Sequence, residues 1–418
     1  MTYSHSFNPD LSAPALFKER LLWCIYLGAM FFLLYGAANQ YAALTAPHPA
    51  INMEWENFIP FIPIFIIPYM ASDAMFIGAF ALKQSRLELR VLAARVLFIV
   101  LVSIVCFIVV PLQFTFTKPL TNEYSWLFNL LQADLPYNQL PSLHVSFAII
   151  LYSSMSRHIP SKLTKSLLAI GFILIILSTL LVYQHHAWDI PTGALVGFAA
   201  IYFIPHHDQH YIFRQFSTPR HLKMALYYLI ATIALVLLAF NITVLAPLWL
   251  YLALSTLAVS IVYAFGLNQA LAGKNGKPNL LQWIIFLPYF LGTYLNWRLY
   301  QKLPILKLAV DNIYIGRQPS SSEYLFLKSA HIKSIISLAP EQQFQKSTLA
   351  QTRFALLDMT IPAPELIHQV VLTIAQSNKD NLYLHCALGL ARTGIITGAY
   401  LIYQGYTRSL NSNSATSV

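Results

Sequence analysis

The chain consists mainly of long apolar runs that are separated by short polar connections. A run of about 18 or more apolar residues is long enough for a helix to cross roughly 30 Å of hydrocarbon. We therefore expect eight membrane-spanning helices, one of them short, at residues 21–44, 58–82, 91–113, 143–157, 166–184, 188–205, 223–243 and 246–267. Another apolar segment, Leu280–Trp297, has Pro288 at its centre and basic residues on both flanks. We expect it to lie in the interface or to re-enter from one face. The alternative is a ninth membrane-spanning helix, which would place all residues after it outside.

Composition and charge also indicate a membrane protein. Hydrophobic residues make up 57% of the chain and charged residues only 10%, whereas soluble domains carry about 25% charged residues. The net charge of +10 comes from basic residues between the apolar runs, which favours a membrane surface as partner and no nucleic acid. One alternate set of connections holds fourteen Lys and Arg residues, and the other holds only Lys118. The positive-inside rule predicts a multi-pass inner-membrane (cytoplasmic membrane) protein whose N-terminus and C-terminal part are cytoplasmic.

After Leu306, short strand patterns replace the long apolar runs. Four segments are predicted as strands: Ile313–Pro319, Ile332–Ala339, Thr352–Met359 and Asn381–Cys386. Pro364–Ser377 has apolar residues at helical spacing, so the C-terminal part is predicted to be a small α/β domain after an all-α polytopic membrane domain. The chain is thus divided into an N-terminal segment with the first helix, a membrane domain, additional helices and the α/β domain, at residues 1–57, 58–210, 211–305 and 306–418.

The strongest motif of the chain runs from His385 to Gly394, where a strand pattern ends at Cys386 and a helix pattern begins at Arg392. A loop between a strand and a helix N-terminus can direct its backbone N–H groups at a phosphate dianion. Arg392 can bind two phosphate oxygens, and the same positive groups favour a thiolate nucleophile at Cys386. The Thr393 hydroxyl is placed to assist breakdown of a phosphocysteine. The loop residues expected to bind phosphate are Ala387, Leu388, Gly389, Leu390 and Ala391.

This decapeptide resembles the signature loop of protein tyrosine phosphatases, and residues 306–408 look like the dual-specificity branch of that family. The resemblance implies a phosphoric monoester hydrolase without a cofactor, in which an upstream Asp protonates the leaving group. Asp358 stands in the matching position, and its alternative role is to cap a strand end. Family members continue past the loop helix, so the domain is expected to be truncated. It is then either an active phosphatase or an inactive phosphate-binding module.

A second group of chemically active residues lies at predicted outer ends of the membrane helices. His185 and Asp189 are four residues apart, so one helical turn places them on the same side. The carboxylate can bind one ring nitrogen of His185 and leave the other as a nucleophile towards phosphorus. His144, which begins another helix, can protonate the leaving oxygen. The alternative is that these histidines only end the membrane helices at the interface.

The motifs Pro141–Ser146 and His185–Asp189 resemble the type 2 phosphatidic acid phosphatase superfamily, most of all its inositol-phosphorylceramide-synthase-like branch. The resemblance implies a helical bundle, a lipid-linked phosphate or head-group phosphate as substrate, and no metal. It makes His144 the acid and His185 the phosphohistidine oriented by Asp189, with Ser142 near the phosphate. The family's basic phosphate-binding motifs are not intact, and Lys118 is the one comparable cation. Hydrolysis and head-group transfer both remain open, and a transporter is disfavoured. The oligomeric state is not predicted.

Overall fold

The computed structural model describes residues 11–119, 121–132, 134–206, 217–273, 278–341, 349–377 and 380–415, with side chains up to residue 405. The chain divides into two compact units, residues 9–213 and residues 214–418. The first unit is helical, and the second combines helices with a five-stranded sheet. The predicted fold class, an all-α membrane domain followed by an α/β domain, is confirmed. Three of the fourteen basic residues, Arg214, Lys274 and Lys277, lie outside the described residues.

The described residues of the first unit form seven α-helices. They are α1 Phe17–Thr45, α2 Ile66–Ala81, α3 Arg86–Val109, α4 Ser125–Leu131, α5 Leu143–Met155, α6 Lys162–Leu181 and α7 Asp189–Phe203. Sequence signals set several of these boundaries. Ser85 caps α3, because its hydroxyl accepts a hydrogen bond from the backbone of Glu88 while the Glu88 carboxylate accepts one from the backbone of Ser85.

In the described part of the chain, six helices are long and apolar enough to cross a membrane. They are Phe17–Thr45, Pro63–Ala81, Arg86–Val109, Lys162–Leu181, Pro219–Asn241 and Thr243–Phe265. They correspond to six of the eight predicted spans, and the protein is a multi-pass membrane protein. The other two predicted spans are the shorter helices α5 and α7, with 13 and 15 residues. At about 1.5 Å per residue these helices are only about 20 Å long.

The short helices α5 and α7 pack closely against each other. A Cβ atom at Gly193 in α7 would lie 2.5 Å from the carbonyl oxygen of Ser142 and 2.9 Å from the Cβ of Val145. Only glycine therefore permits this approach. The buried Ser146 hydroxyl donates a hydrogen bond of 2.7 Å to the carbonyl of Gly193, which fixes the two helices in register. The first turns of both helices consequently lie side by side.

The described part of the second unit begins with four α-helices. In chain order they are α8 Pro219–Asn241, α9 Ala246–Phe265, α10 Asn268–Ala272 and α11 Leu280–Leu299. Helices α8 and α9 form a hairpin in which Ser260 donates a hydrogen bond of 2.8 Å to the carbonyl of Ala225. Helix α11 is continuous through Pro288 and starts at an Asn279–Gln282 capping box. It is not among the six candidate spans.

The sheet domain follows directly after α11. Its strands are β1 Lys307–Val310, β2 Ile313–Gly316, β3 Ser334–Ser337, β4 Ala350–Arg353 and β5 Leu382–His385, and its helices are α12 Glu323–Ser329, α13 Pro364–Gln376 and α14 Ala391–Ala415. The strand order is β1-β2-β5-β3-β4, with β1 antiparallel and the other pairs parallel. The motif strand β5 is thus central, and all four of its residues are buried.

The sequence-based strand at residues 352–359 is wrong over most of its length. Strand β4 ends at Arg353, and the chain then leaves the sheet. Leu356 still donates its backbone N–H to Leu338, but its carbonyl accepts a hydrogen bond of 3.0 Å from Arg392. The segment therefore passes from the sheet edge to the phosphate loop, and Asp358 lies in a turn beyond it.

Candidate active sites

The Cys386 loop has the geometry of a phosphate-binding loop. Strand β5 ends at His385, Cys386 is buried at the strand end, and α14 begins at Ala391. Gly389 has a φ of +72°, and a Cβ at this position would overlap the backbone of Gly316. Glycine is therefore required both for the left-handed backbone conformation and for the close approach. The predicted loop residues Ala387, Leu388, Gly389 and Leu390 thus turn from the central strand into the N-terminus of a helix, which is a favourable site for an anion.

Arg392 is held beneath this loop by a carboxylate that the sequence motif does not contain. Its Nη1 and Nη2 atoms donate to Glu341 at 3.0 and 2.6 Å, and Nη1 also donates to the carbonyl of Leu356. Burial alone would lower the pKa of Arg392, but the Glu341 carboxylate raises it well above the ordinary range. The guanidinium is therefore charged and fixed in orientation.

Asp358 and Thr393 lie around the same loop. The Oδ1 atom of Asp358 is 3.2 Å from Nε of Arg392, and the Asp358 side chain is 47% exposed. Strand β4 ends at Arg353, so Asp358 lies beyond the strand end, with its half-exposed carboxyl beside the guanidinium of Arg392. The Thr393 hydroxyl is buried and has no hydrogen-bond partner within the described part of the chain. It remains available to a bound phosphate.

The residues before the loop form a rigid buried support. Burial lowers the pKa of His385 to about 4, so this imidazole is neutral, and its Nδ1 lies 3.1 Å from the carbonyl of Cys386. Arg317 binds Glu323 through two hydrogen bonds of 2.9 and 2.6 Å. Partial burial acts to raise the pKa of Glu323, but the hydrogen bonds from Arg317 and Ser320 lower it to about 2. Tyr383 donates a hydrogen bond of 2.6 Å to the carbonyl of Arg317, which ties this pair to β5.

The histidine site lies in the first unit, where the close packing of α5 and α7 brings its parts together. His185 Nδ1 is 2.9 Å from Asp189 Oδ2, and the two side chains are 8% and 0% exposed. The rings of His144 and His185 are 6.0 Å apart between centroids, and His144 stacks on Tyr69. Because Asp189 binds Nδ1, Nε2 is the ring nitrogen of His185 that this carboxylate does not engage. The three predicted residues therefore converge.

The neighbouring His186 has a structural role. Its Nδ1 lies 2.8 Å from Glu56 Oε2, both side chains are buried, and its ring stacks on Phe114. The backbone N–H of His186 donates to the same Asp189 oxygen that binds His185. This second contact holds the Asp189 carboxylate in place, so His186 supports the pair rather than taking part in chemistry.

Ser142 and Lys118 lie at different places around the histidines. Ser142 directly precedes α5, and its backbone N–H donates a hydrogen bond of 3.2 Å to the carbonyl of Asp189. The Ser142 hydroxyl is buried and has no hydrogen-bond partner among the described residues. Lys118 lines a narrow polar pocket together with His185 and Asp134. Burial lowers the pKa of Lys118, and the Asp134 carboxylate opposes this effect.

Two adjoining cavities open onto His144. One has a volume of about 330 Å³ and contains both His144 and His185 in its wall, and the other, of about 430 Å³, extends along apolar side chains of α1 and α2. The first wall also contains Asp134, whose carboxylate accepts hydrogen bonds from Tyr35 and Asn39. Burial raises the pKa of Asp134, and its hydrogen bond from Tyr35 and the charge of His185 oppose the rise. A cavity with polar groups around the two histidines therefore adjoins a more apolar cavity.

Sequence reasoning missed Asp134, Glu341 and the Arg317–Glu323 pair, because each acts through contacts distant in the chain. A local signal existed only for Asp134, an acidic residue in a predicted loop that otherwise holds Glu123 and Lys118 as charged residues.

Within the described ranges, no group of three or more His, Cys, Asp or Glu side chains is arranged to hold a metal ion.

Comparison with known families assigns both regions. Residues 111–211 match the PAP2 superfamily, and residues 311–406 match a family described as "Polymorphic toxin system, DSP-PTPase phosphatase". The first match contains the converging histidines and the second contains the Cys386 loop. The chain therefore joins a PAP2-superfamily region to a phosphatase region of the dual-specificity type, and it is a membrane-embedded phosphatase. Searches among curated proteins and among solved structures return no match to the chain.

Proposed function

We propose that the protein carries two separate phosphate-transfer centres that serve phospholipid metabolism: a histidine centre acting on a lipid-linked phosphate and a cysteine centre hydrolysing a phosphomonoester. The observation that carries the proposal is that each centre groups a candidate nucleophile, a candidate acid and an orienting carboxylate. In one, His185 lies against Asp189 with His144 adjacent. In the other, Cys386 precedes the loop whose Arg392 is held by Glu341 and approached by Asp358.

At the cysteine centre, the thiolate of Cys386 attacks phosphorus while the loop N–H groups and Arg392 bind the phosphoryl oxygens. The bond between phosphorus and the leaving oxygen breaks, and the carboxyl of Asp358 gives its proton to that oxygen. A water molecule then attacks the phosphocysteine, its proton passes to the Asp358 carboxylate, and inorganic phosphate leaves as the thiolate reforms. The Thr393 hydroxyl is placed to stabilise that thiolate.

At the histidine centre, Nε2 of His185 attacks phosphorus, the bond to the leaving oxygen breaks, and His144 protonates that oxygen. Water or the hydroxyl of a second head group then attacks the phosphohistidine and gives its proton to His144, and the P–N bond breaks to restore His185. The charges around this centre favour transfer: among the described residues of its cavities, Lys118 is the one Lys or Arg, whereas Asp73 and Asp134 are acidic. A dianionic phosphate monoester meets little positive charge there, and a phosphodiester or a hydroxyl-rich head group fits better.

The distribution of basic residues supports the inner membrane as location, with the histidine centre on the outer face and the cysteine domain in the cytoplasm. Lys333 is a suitable probe of the domain, because its side chain is 69% exposed. With Lys333→Cys in a Cys386→Ser background, a membrane-impermeant maleimide should label only lysed cells. Labelling of intact cells would contradict this orientation and place Leu280–Trp297 across the membrane.

Single and double variants in reconstituted vesicles test the two centres. Cys386→Ser should abolish hydrolysis of a small aryl phosphate and leave the lipid head-group reaction intact. His185→Ala should do the reverse, and the double variant should be inactive in both assays. Aryl phosphate hydrolysis by Cys386→Ser at the wild-type rate would refute the cysteine assignment, and an unchanged head-group reaction in His185→Ala would refute the histidine assignment.

One observation favours a second candidate function for the cysteine domain, a phosphate-binding regulatory module without turnover. Both Nη atoms of Arg392 are already engaged by Glu341, and the Nε atom lies 3.2 Å from Asp358, so all three guanidinium nitrogens are beside carboxylates. Calorimetry with inorganic phosphate separates the alternatives. Binding without hydrolysis of any aryl or alkyl phosphate would support the module, whereas Cys386-dependent turnover supports the enzyme.

A further inference from the structure

A cavity of about 490 Å³ lies between helix α11 and the sheet domain, within the second unit. On the helix side it is lined by apolar and aromatic side chains, among them Trp283, Leu287 and Leu291. Leu287 and Leu291 are 45% and 52% exposed. On the domain side its wall includes Gln318 and Glu341. We call this cavity the α11 groove. Its volume lies within the usual range of about 300–1,000 Å³ for small-molecule sites.

Two residues in the wall of the α11 groove make hydrogen bonds to the phosphate loop. Glu341, in its wall, binds Arg392 through both Nη atoms. The backbone N–H of Gln318 donates a hydrogen bond of 3.1 Å to the carbonyl of Ala387, the residue after Cys386. Trp297 also lines the groove, and its indole N–H donates a hydrogen bond of 2.8 Å to the carbonyl of Gln318. A molecule in the groove therefore lies next to the loop that binds phosphate.

The apolar end of the groove adjoins helices that can cross a membrane. Tyr251, near the start of α9, donates a hydrogen bond of 2.7 Å to the carbonyl of Ile284 in α11. Further along, Tyr289 of α11 packs 6.1 Å from the ring of Tyr228 in α8. Tyr228 in turn stacks on Tyr263 of α9. Helix α11 thus follows the candidate spans α8 and α9 on one side and meets the sheet domain on the other.

The loop that carries the general acid is also attached to these helices. Arg220, at the start of α8, donates a hydrogen bond of 2.9 Å from Nε to the carbonyl of Met359, the residue after Asp358. The phosphate loop and the Asp358 turn are therefore both joined to the helices of this unit, through Trp297 and Arg220. These attachments hold the cysteine centre against helices that can cross a membrane, which is where a substrate embedded in the bilayer would be presented.

We propose that the cysteine centre acts on a lipid phosphate monoester whose acyl chain lies in the α11 groove while its phosphate occupies the Cys386 loop. The proposal rests on the proposed hydrolysis at Cys386 and adds the substrate class. The groove wall extends from apolar side chains of α11 to Gln318 and Glu341, which contact the phosphate loop. Arg298, also in the wall, supplies a positive charge that complements the anionic head group. A free sugar phosphate or a phosphopeptide would leave the apolar half of the groove unoccupied.

The experiment compares two substrates of the full-length protein in nanodiscs, with His185→Ala present so that only the cysteine centre acts. The substrates are phosphatidic acid, offered in a phosphatidylcholine bilayer, and a soluble aryl phosphate. Leu287→Trp fills the groove without adding charge and should lower the ratio of kcat/KM for phosphatidic acid to that for aryl phosphate at least tenfold. Leu295→Trp is the matched control, because Leu295 is on the same helix, is 52% exposed and lies outside the groove wall. The ratio of the two kcat/KM values for Leu295→Trp should stay within about twofold of the ratio for the His185→Ala parent protein.

The outcomes distinguish a failure of the proposed hydrolysis at Cys386 from a failure of the groove assignment. No Cys386-dependent turnover of aryl phosphate would overturn the proposed hydrolysis itself. Aryl phosphate turnover with no hydrolysis of phosphatidic acid, or with equal effects of Leu287→Trp and Leu295→Trp, would overturn the groove assignment alone. A tyrosine phosphopeptide cleaved with higher kcat/KM than phosphatidic acid would also overturn it. The aryl phosphate activity reports folding, so a misfolded Leu287→Trp is recognised, and Leu291→Trp then replaces it.

Discussion

Glu341 and Arg392 form a buried, two-pronged ion pair beneath the phosphate loop, although they are 51 residues apart in the chain. Both side chains are 2% exposed. A buried charge that loses its partner is strongly destabilising, whereas a pair in good geometry fixes both groups. The pair therefore fixes the orientation of the Arg392 guanidinium relative to a bound phosphate.

We expect Glu341→Ala to destabilise the sheet domain by about 3–5 kcal/mol, because it removes the buried carboxylate that binds both Nη atoms of the charged Arg392. Glu341→Gln retains the shape and should instead raise KM for aryl phosphate about tenfold or more, with a smaller change in kcat, since phosphate binding depends on the guanidinium orientation. Thermal unfolding and steady-state kinetics measure the two effects. A Glu341→Gln protein with wild-type KM would show that the pair serves stability alone.

The role of Asp358 is tested by changing the leaving group. General acid catalysis contributes about 10²–10⁴-fold when the leaving oxygen is basic. Asp358→Asn should therefore slow hydrolysis of an alkyl phosphate by about 10²-fold or more, and that of an aryl phosphate with an acidic leaving group by less than about tenfold. Equal losses with both substrates would assign Asp358 to positioning Arg392.

The close packing of α5 and α7 positions the histidine centre. Gly193→Ala places a methyl group against the Ser142 carbonyl and Val145, so it should separate His144 from His185 and strongly reduce the head-group reaction. The cysteine-dependent hydrolysis should be unaffected. Gly171→Ala is the control, since a Cβ at Gly171 would meet no neighbouring atom within 4 Å and alanine favours a helix. Equal head-group activity in the two variants would contradict the packing argument.

Burial of His385 predicts a defined pH dependence of stability. Its pKa is about 4 in the folded protein and 6.5 as the ordinary value, so the unfolded chain binds a proton that the folded chain excludes. The stabilising contribution is complete above pH 6.5 and is lost as the pH falls towards 4, by roughly 3 kcal/mol. Glu323 contributes in a lower range, between its ordinary value of 4.5 and about 2.

Limited proteolysis of the sheet domain between pH 7 and 4.5 measures this loss. His385→Asn removes the titrating group, so its proteolysis should depend less on pH across the same range, even where its overall stability is lower. Profiles of equal slope for His385→Asn and the wild type would show that another group controls the pH response.

The part of each candidate site whose residues lie close together in the chain was predictable from the sequence. His185 and Asp189 are four residues apart and the Cys386 loop is continuous, so their proximity follows from the local sequence. The predicted helical turn between His185 and Asp189 is wrong, because α7 begins only at Asp189 and the contact forms in the turn before the helix. Glu341 was not predictable, because its partner is distant and no periodic pattern marks it. Strand β1 was missed because it is a short, largely exposed edge strand. Helix α11 was correctly identified as a single apolar segment, but its contact with the sheet domain depends on tertiary packing.

The most direct test of two independent centres is covalent trapping. Full-length protein in nanodiscs would be mixed with a ³²P-labelled lipid phosphate, quenched within milliseconds and digested to locate the label. We predict label on peptides containing Cys386 and His185, with the first lost in Cys386→Ser and the second lost in His185→Ala. Label on neither residue in the wild-type protein, or label at Cys386 that disappears with His185→Ala, would contradict two independent centres.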